Sequence, residues 1–537
     1  MATPTISQFL TGIDGFVSSR NATELADYLT LEPPFGDIYH KMIAELRQAY
    51  PAHRGEELEQ MCGQALKTAR SESWNAFIKF MAQYLAYLRD VSSDADQYLA
   101  TYESLSELLQ RANSALANVE LGHLMLPTVI SCAKCVCRLA IGLDKRPELI
   151  AHLRSATGGG DDGGVRESLP EQAANIVRGA FVTCLNDRSS GGGVSNFGKP
   201  QGKTVGIFVL ANLCLKILFQ CRKTRNATQI FENIYNLAPP LAAYPKSERV
   251  AYLYYLGRFL FTTAQFSRAR RALQAAYDES PARPDCARQR RHILIYLLTC
   301  NILLGRFPSD ALLSRPEADG LAMRFSPLCQ AIQKGDVASY RRHLDLNSPH
   351  ASWFLIFRLL IPLRHRGEVL VWRSLIRRAW LINGTRPRPD SRVAPQVDLH
   401  DLVTYFTYFD TQDPTNSPSD EPDADLAETP TYPTPHDPMP PLIQTEAIVA
   451  SLITQRLING FISHARAKFA ITGVKNKNGD VLAAGFPTVA SVLTLGDDEA
   501  SDVPGWPVKK PSLAAGMLPR PGPGMVFNLS GARGVGA

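Results

Sequence analysis

Residues 444–472 of the chain read QTEAIVASLITQRLINGFISHARAKFAIT, and this stretch decides the fold of the C-terminal part. Apolar residues recur every four positions along it, which predicts a helix over Glu446–Ile458 with one continuous apolar side. The pair Asn459-Gly460 follows at once. Since glycine readily takes the left-handed conformation that helix C-termini prefer, we expect the helix to end at this pair.

Two short runs typical of β-strands follow the helix. They are Phe461–His464 and Lys468–Thr472, and only Ala465–Ala467 separates them, which predicts a tight hairpin. A helix, a tight turn and a two-stranded hairpin form the end of a winged helix. Such a module either binds nucleic acid or docks against a second module of the same kind in another protein.

The bulk composition is that of a soluble globular protein of two or three units. The chain has 537 residues, of which 45% are hydrophobic and 20% charged, with a net charge of +6. No basic segment followed by an apolar core opens the sequence, so we expect the ten cysteines to be reduced in a nuclear or cytosolic protein. The longest apolar run, Thr204–Leu215, is too short to span a bilayer, and we expect no membrane insertion.

The fold class predicted from these patterns is all-α, a tetratricopeptide-like helical solenoid followed by a winged helix with a small β-hairpin. The expected organisation has five parts, in chain order. These are N-terminal helical repeats over 1–154, flexible glycine-rich insertions around one helix over 155–203, a repeat-like helical part over 204–395, the winged helix over 396–475 with a disordered acidic proline-rich insertion at 411–441, and a mostly disordered tail over 476–537.

One helical pair, over residues 248–281, matches the tetratricopeptide offsets. Its small residues Gly257 and Ala269 allow two antiparallel helices to approach closely. Leu273 and Ala276 then fill the seam between them. Neighbouring pairs are degenerate, as in a solenoid without strict repeats.

A nucleotide-binding loop is a weaker interpretation of GKPQGKT at residues 198–204. Gly202, Lys203 and Thr204 match the end of the phosphate-loop motif, but the first glycine is out of place by one residue. A loop that enters a buried helix is the favoured interpretation. No other catalytic signature is present, and we expect no enzyme.

Cys132, Cys135 and Cys137 could suggest zinc, but they lie in one helical stretch, whereas structural zinc sites need four ligands. Buried small residues are the better interpretation. The eleven histidines show no metal-binding spacing either. We therefore expect neither a metal nor a cofactor.

Basic residues are concentrated around the winged helix and the helix that precedes it. Cationic side chains in a strip favour contacts with phosphates, which give affinity without sequence choice. A solvated charged face or a dock for an acidic partner would explain the same pattern. The residues predicted to bind nucleic acid are Arg373, Arg377, Arg378, Arg456, Arg466, Lys468, Lys475 and Lys477.

A degenerate solenoid that runs into a winged helix resembles the PCI domain family, named for the proteasome lid, the signalosome and translation initiation factors. Within it, the chain resembles the PCI subunits of nuclear-pore-associated transcription and mRNA-export complexes (TREX type). Signalosome-associated PCI proteins share much of the pattern. The stretches that carry the resemblance are Thr5–Leu10, Leu31–Tyr39, Gly202–Leu218, Arg249–Gly257, His292–Pro308 and Glu446–His464.

The resemblance implies a non-enzymatic scaffold in the nucleus, at the nuclear pore. It implies a large scaffold partner with its own PCI fold, whose winged helix completes a platform for RNA and double-stranded DNA. It also implies a small acidic disordered partner, shared with the proteasome lid, that braces the helical repeats. The alternative is a signalosome-associated subunit that acts only through protein contacts. The residues expected to meet the acidic partner are Arg283, Arg288, Arg290 and Arg291.

Overall fold

The computed structural model describes residues 4–51, 54–91, 97–150, 168–187, 198–385, 394–412 and 441–494. The predicted glycine-rich insertions fall largely outside these ranges. The predicted acidic insertion falls almost entirely outside them, as does the chain after residue 494.

The first part of the chain is a stack of helices whose apolar sides form one continuous core. The helix over 75–90 shows why, since Phe77, Phe80 and Tyr84 recur on one side at helical spacing and all three are fully buried. The helices are α1 (Pro4–Ser18), α2 (Ala22–Tyr28), α3 (Asp37–Ala49), α4 (Gly55–Ala65), α5 (Lys67–Ser71), α6 (Asn75–Asp90), α7 (Tyr98–Leu116), α8 (Leu126–Asp144) and α9 (Leu169–Leu185).

Helical pairs continue the stack through the middle of the chain, joined by short 3-10 turns. A π-helical turn over Leu363–Gly367 leads into the last of them. These helices are α10 (Ile207–Gln220), α11 (Ala227–Leu237), α12 (Lys246–Thr262), α13 (Phe266–Glu279), α14 (Ala287–Leu303), α15 (Asp310–Leu313), α16 (Ala322–Lys334), α17 (Val337–His343), α18 (Ala351–Ile356), α19 (Leu360–Pro362) and α20 (Glu368–Asn383).

The tetratricopeptide-like pair consists of α12 and α13, which pack closely side by side. A Cβ atom placed on Gly257 would lie 2.5 Å from Leu273 Cγ, well inside van der Waals contact. Ala269 and Ala276 are also fully buried at this seam. The prediction that small residues let these two helices approach is therefore confirmed.

The winged helix follows the solenoid and contains the sheet found among the described residues. Its strands are antiparallel in the order β1-β3-β2, so that β3 is central. The elements are β1 (Gln396–Asp398), α21 (Leu399–Thr411), α22 (Pro441–Thr454), β2 (Gly460–Ser463), β3 (Lys468–Ile471), α23 (Val481–Gly485) and α24 (Val489–Thr494). The predicted fold class, helical repeats followed by a winged helix, is confirmed.

Three local predictions differ from the structure. The helix before the hairpin ends at Thr454 rather than at Asn459, because Arg456 takes the left-handed conformation with φ 58°. A strand over 396–398, which the sequence pattern did not predict, opens the winged helix. The winged-helix unit also continues past residue 475, since α23 and α24 pack back onto it and onto the solenoid.

The last helix illustrates this packing. Val489 lies directly over Gly305 at the end of α14, where a Cβ atom on the glycine would come within 2.7 Å of the valine. Gly305 also has φ 72°, a conformation that favours glycine. The segment after residue 475 was expected to belong to a mostly disordered tail, and its first part is instead a fixed element of the fold.

Two helical segments, Gly122–Asp144 and Gly202–Gln220, have the length and hydropathy of a membrane span. The second is longer than the apolar run recognised in the sequence because a 3-10 turn begins it at Gly202 and the α-helix continues past Leu215 to Gln220. Most residues of both segments are buried inside the solenoid, so packing within the protein accounts for their apolar character.

Candidate nucleic-acid interface on the winged helix

The hairpin depends on a close approach between its strands at Gly460. A Cβ atom there would lie 2.3 Å from the carbonyl oxygen of Ala470 and 2.5 Å from the ring of Phe469. Only glycine fits this position. The register that follows pairs Gly460 with Ile471 at one end of the hairpin and Ser463 with Lys468 at the other.

The turn end of the hairpin carries the first group of predicted cations. A 3-10 turn over His464–Arg466 closes it, and Ala467 is left-handed with φ 46°. Arg466 is exposed and Lys468 is half-buried. A bond of 2.8 Å between His464 Nδ1 and the carboxylate of Glu446 ties the turn to α22 and fixes its position.

The opposite end of the hairpin carries the second group. Arg456 lies in the loop that leads into β2, while Lys475 and Lys477 lie in the 3-10 turn that follows β3, and all three are exposed. Since β3 spans four residues, the two ends are about 10 Å apart along the strand. The hairpin therefore presents positive charge at both ends.

The outer face of the sheet joins these two ends. Side chains alternate along a strand, so Phe461 and Ser463 of β2 share this face with Lys468 and Ala470 of β3. Asp398 of β1 stands opposite Lys468 on the same face, and its carboxylate accepts a hydrogen bond from the His400 amide at 3.0 Å. Sequence reasoning missed Asp398 because it missed the strand, and this carboxylate reduces the positive potential near Lys468.

Arg373 does not belong to the exposed cationic surface, which corrects one predicted contact. Its guanidinium donates to three backbone carbonyls of the winged helix, those of Leu457, Phe486 and Pro487, at 3.1, 3.1 and 2.6 Å. Burial, and next the charge of Arg377, lower the pKa of Arg373 to about 10. The side chain remains charged near neutrality and connects α20 to the winged helix.

Arg377 and Arg378 lie on the same helix as Arg373 but have different surroundings. Arg377 is half-buried and Arg378 is exposed. Neither forms an ion pair with another residue in the described part of the chain. Their contact with nucleic acid stays a prediction, as it does for the five cations of the hairpin region.

The four arginines expected to meet the acidic partner also include buried and exposed side chains. Arg290 is 6% exposed, lies over the ring of Tyr277 at 4.2 Å, and bonds Glu317 through Nε and Nη2. Arg291 donates to the carbonyl oxygens of Glu317 and Asp319. Both guanidinium groups hold the solenoid together. The predicted partner contact of Arg290 is corrected, because this side chain is buried, whereas that of the half-buried Arg291 stays a prediction.

Arg283 and Arg288, the other two of these four arginines, are exposed. Arg283 lines a groove of about 1130 Å³ between α12 and α14, together with Tyr254, Tyr255 and Tyr277. Arg290 and Lys246 also contribute to its lining, opposite Asp278 and Glu279. The groove is therefore aromatic and of mixed charge, and its exposed cations are Lys246, Arg283 and Arg315.

The loop that resembled a phosphate loop is occupied by internal contacts. Lys203 is 4% exposed, its ammonium group lies 3.7 Å from the Asp187 carboxylate, and its amide donates to the same side chain. The Thr204 hydroxyl donates to the carbonyl oxygen of Gln201. Neither side chain faces solvent, as expected for a loop that enters a buried helix.

The cysteines of α8 are all buried. Burial is the main reason that the pKa values of the Cys135 and Cys137 thiols are raised to about 12, and it raises the pKa of Cys132 further. Such thiols stay protonated and are poor metal ligands near neutrality. Among the described residues, no cluster of three or more His, Cys, Asp or Glu side chains could hold a metal ion.

The described residues thus form a helical solenoid that holds a winged helix through Arg373 and α24. Cations lie at both ends of the exposed hairpin of that winged helix. No protein-family model matches the chain. It is 24% identical over 469 residues to a PCI domain-containing protein of Schizosaccharomyces pombe. The aligned region covers 87% of this chain and 92% of that protein.

Two further relatives extend the comparison. PCI domain-containing protein 2 of Xenopus laevis is 21% identical over 476 residues, 88% of this chain and 97% of that protein. A protein named CSN12 homolog of Neurospora crassa is 27% identical over 218 residues, 40% of this chain and 45% of that protein. These similarities support a PCI domain in this chain.

Proposed function

We propose that this chain is a non-enzymatic PCI scaffold subunit that binds RNA or DNA together with a partner PCI protein. In this proposal it acts in the nucleus, at the nuclear pore, and couples transcription to mRNA export. The observation that carries the nucleic-acid part is the exposed hairpin with Arg466 and Lys468 at its turn and Arg456, Lys475 and Lys477 at its base. Two cationic groups about 10 Å apart suit successive contacts with a phosphate backbone.

The internal contacts of Arg373 reduce the number of residues in the proposed nucleic-acid interface. Arg373 is used within the fold, so the proposed interface consists of the five hairpin-region cations with Arg377 and Arg378 as an extension. The helix α22 contains no Lys or Arg and one carboxylate, Glu446. A helix of this composition is poorly suited to read base edges in a duplex groove, so the affinity we propose is for the backbone and carries little sequence choice.

Charge reversal at the turn tests this function. Arg466→Glu with Lys468→Glu should weaken binding to RNA and DNA in an anisotropy titration of the full chain assembled with its co-purifying partner. It should also lower the slope of log affinity against log salt, because fewer counterions are released. The matched control reverses Arg222 and Arg225, which lie far along the solenoid before α11. Unchanged affinity and slope in the Arg466/Lys468 variant would refute the proposal.

A partner of opposite charge is the second part of the proposal. We infer that the groove beside Arg283, with Arg288 near its rim, receives an acidic disordered protein that braces the repeats. Three tyrosines in the groove offer apolar contacts beside the charge. Arg283→Glu with Arg288→Glu should release that small partner from the purified complex while the large PCI partner remains bound.

A pure protein-interaction subunit of the signalosome type is the alternative function. Two observations favour it. Relatives named CSN12 homolog are among the proteins that this chain resembles, and β2 is an edge strand whose outer side pairs with no described strand. An open edge can accept a strand from a second winged helix.

The two functions differ in what co-purifies with the chain. The export function predicts a large PCI scaffold and a nucleic-acid affinity that depends on Arg466. The alternative predicts signalosome subunits and no effect of charge reversal on nucleic acid. Recovery of the chain with signalosome subunits alone, and without measurable binding to RNA or DNA, would decide for the alternative.

A further inference from the structure

Phe461 is an exposed aromatic residue on the outer face of the sheet. Its side chain is 53% exposed, although its neighbours along β2 are partly covered and the facing residue, Ala470, is 8% exposed. On the neighbouring strand β3, Phe469 and Ile471 are buried beneath the sheet, and Ala470 on the outer face is also covered. About half of the surface of Phe461 is therefore open to solvent, beside a covered alanine on the neighbouring strand.

Positive charge lies on both sides of this ring along the hairpin. Phe461 is the second residue of a four-residue strand, so Lys468 on the neighbouring strand is a diagonal neighbour at about 7–8 Å. Arg466 lies beyond it in the turn. In the other direction, Arg456 lies five residues earlier in the loop that leads to the strand, and Lys475 lies in the 3-10 turn that follows β3.

An open aromatic face between two cationic groups matches the chemistry of one ligand. In a single-stranded nucleic acid the phosphates are charged and the bases are free to stack, whereas in a duplex the bases are already stacked inside. We propose that the ring of Phe461 stacks on an unpaired base, so that this winged helix binds single-stranded nucleic acid more tightly than duplex. The inference rests on the proposed nucleic-acid function.

Other features of the module favour a strand over a duplex. The outer face of the sheet also carries Gln396, Ser463 and Asp398, which can hydrogen-bond to an unpaired base, and the Asp398 carboxylate would repel a second phosphate backbone. The carboxylates of Asp398 and Glu446 stand beside the turn. A duplex would bring two phosphate backbones onto this small surface, whereas one strand can follow the cations and avoid the carboxylates.

The experiment measures affinity with the full chain, together with any partner that co-purifies. The probes are fluorescein-labelled oligo(dT), oligo(rU) and a DNA duplex of the same length, and an abasic DNA strand that keeps the phosphates but lacks bases. We expect Phe461→Ala to weaken binding to oligo(dT) and oligo(rU) by about 5- to 150-fold, the usual effect of losing one stacked base. Binding to the abasic strand should not change.

Two matched variants make the result specific. Phe461→Trp should restore tight binding, because tryptophan also presents a stacking face. Tyr408→Ala, at an aromatic residue of α21 that is 58% exposed, should leave every affinity unchanged. The salt slope of the Phe461→Ala variant should equal that of the wild type, while Arg466→Glu with Lys468→Glu should lower the slope by about 1.4, the value for two phosphate contacts on a single strand.

The outcomes separate this inference from the proposed function. If Phe461→Ala binds like the wild type while the charge reversal weakens binding, stacking is refuted and the nucleic-acid function stands. If the wild type binds none of the four probes, both are refuted. If Phe461→Ala releases a protein partner and keeps its affinity for oligo(dT), the ring is a protein contact and stacking is refuted. A difference between oligo(dT) and oligo(rU) that Phe461→Ala removes would support stacking.

Discussion

Arg373 Nε donates to the carbonyl oxygen of Leu457 at 3.1 Å, across 84 residues of sequence. This bond, with those to Phe486 and Pro487, joins the last solenoid helix to the winged helix at the base of the hairpin. This guanidinium group, the packing of Val489 on Gly305 and the ion pair of Arg341 with Asp410 together fix the orientation of the candidate interface relative to the repeats. Because the three acceptors of Arg373 are backbone carbonyls, the contact is independent of the side chains at those positions.

We expect Arg373→Met to destabilise the protein by about 2–4 kcal/mol, because three carbonyls lose a charged donor in a desolvated site. Urea unfolding followed by circular dichroism would measure the change. Arg378→Met is the matched control, since this exposed arginine lies on the same helix, and it should change stability by less than about 0.5 kcal/mol. Equal effects of the two substitutions would contradict the connecting role of Arg373.

The seam of the tetratricopeptide-like pair gives a second prediction. Gly257→Ala should destabilise the protein by about 1–3 kcal/mol, because the new methyl group would overlap the side chain of Leu273. In a Leu273→Ala background the same substitution should be tolerated, since the overlapping atoms are gone. Thermal unfolding of the two single variants and the double variant would measure the coupling.

Gly142 provides the control for that measurement. It lies in the helix α8, and a Cβ atom there would meet no atom within 4 Å. Gly142→Ala should therefore stabilise the protein by up to about 1 kcal/mol through backbone entropy. A loss of stability at Gly142 equal to that at Gly257 would mean that the effect does not come from contact with Leu273.

The buried pair of Lys203 and Asp187 gives a third prediction. Lys203→Met should destabilise the protein by about 3–5 kcal/mol, because it leaves the Asp187 carboxylate without its cation in a site where both side chains are almost completely buried. Lys203→Met with Asp187→Leu should restore part of that loss. The midpoints of denaturant unfolding, measured for the wild type and the two variants, would show the loss of stability and its partial recovery. A double variant no more stable than Lys203→Met would contradict the pairing.

Glu248 gives a prediction for pH. Burial raises the pKa of its carboxyl from the ordinary 4.5 to about 7, and Oε2 has no hydrogen-bond partner among the described residues. The folded state then binds the proton more tightly than the unfolded state does. The stability that this carboxyl contributes is fully present below pH 4.5 and is lost as the pH rises through 7.

Glu248→Gln removes that dependence. We expect the variant to melt at the same temperature as the wild type near pH 4.5 and at a higher temperature at pH 8, because the amide needs no proton to stay neutral. Glu59→Gln, at an exposed carboxylate of α4, should show no such difference between the two pH values. A gain in melting temperature that is the same at pH 4.5 and pH 8 would refute the explanation.

Local patterns were sufficient to predict much of the fold. The spacing of Gly257 and Leu273 predicted a helical seam because both residues lie within one pair of neighbouring helices. The hairpin was predicted because a few residues determine a tight turn. In contrast, β1 has only three residues, and its pairing with β3 joins positions about 70 residues apart, so no local periodicity marks it.

The roles of the arginines could not be predicted in this way. Arginine in a basic stretch has the same local appearance whether it faces solvent or a carbonyl. The acceptors of Arg373 lie 84 to 114 residues away, and the carboxylate that binds Arg290 lies 27 residues away. Only the folded chain shows which cations are used within it, and the candidate site is correspondingly smaller than the charge pattern suggested.

The small cavity at the top of the winged helix is lined by Asp410 and Pro441, at the end of α21 and the start of α22. The chain thus leaves the winged helix after α21 and returns to it at α22 beside the same cavity. The entropic cost of closing a loop between two fixed, adjacent points rises by only about 0.6 kcal/mol for each doubling of the loop length. An insertion or deletion between residues 412 and 441 should therefore change the free energy of unfolding only slightly.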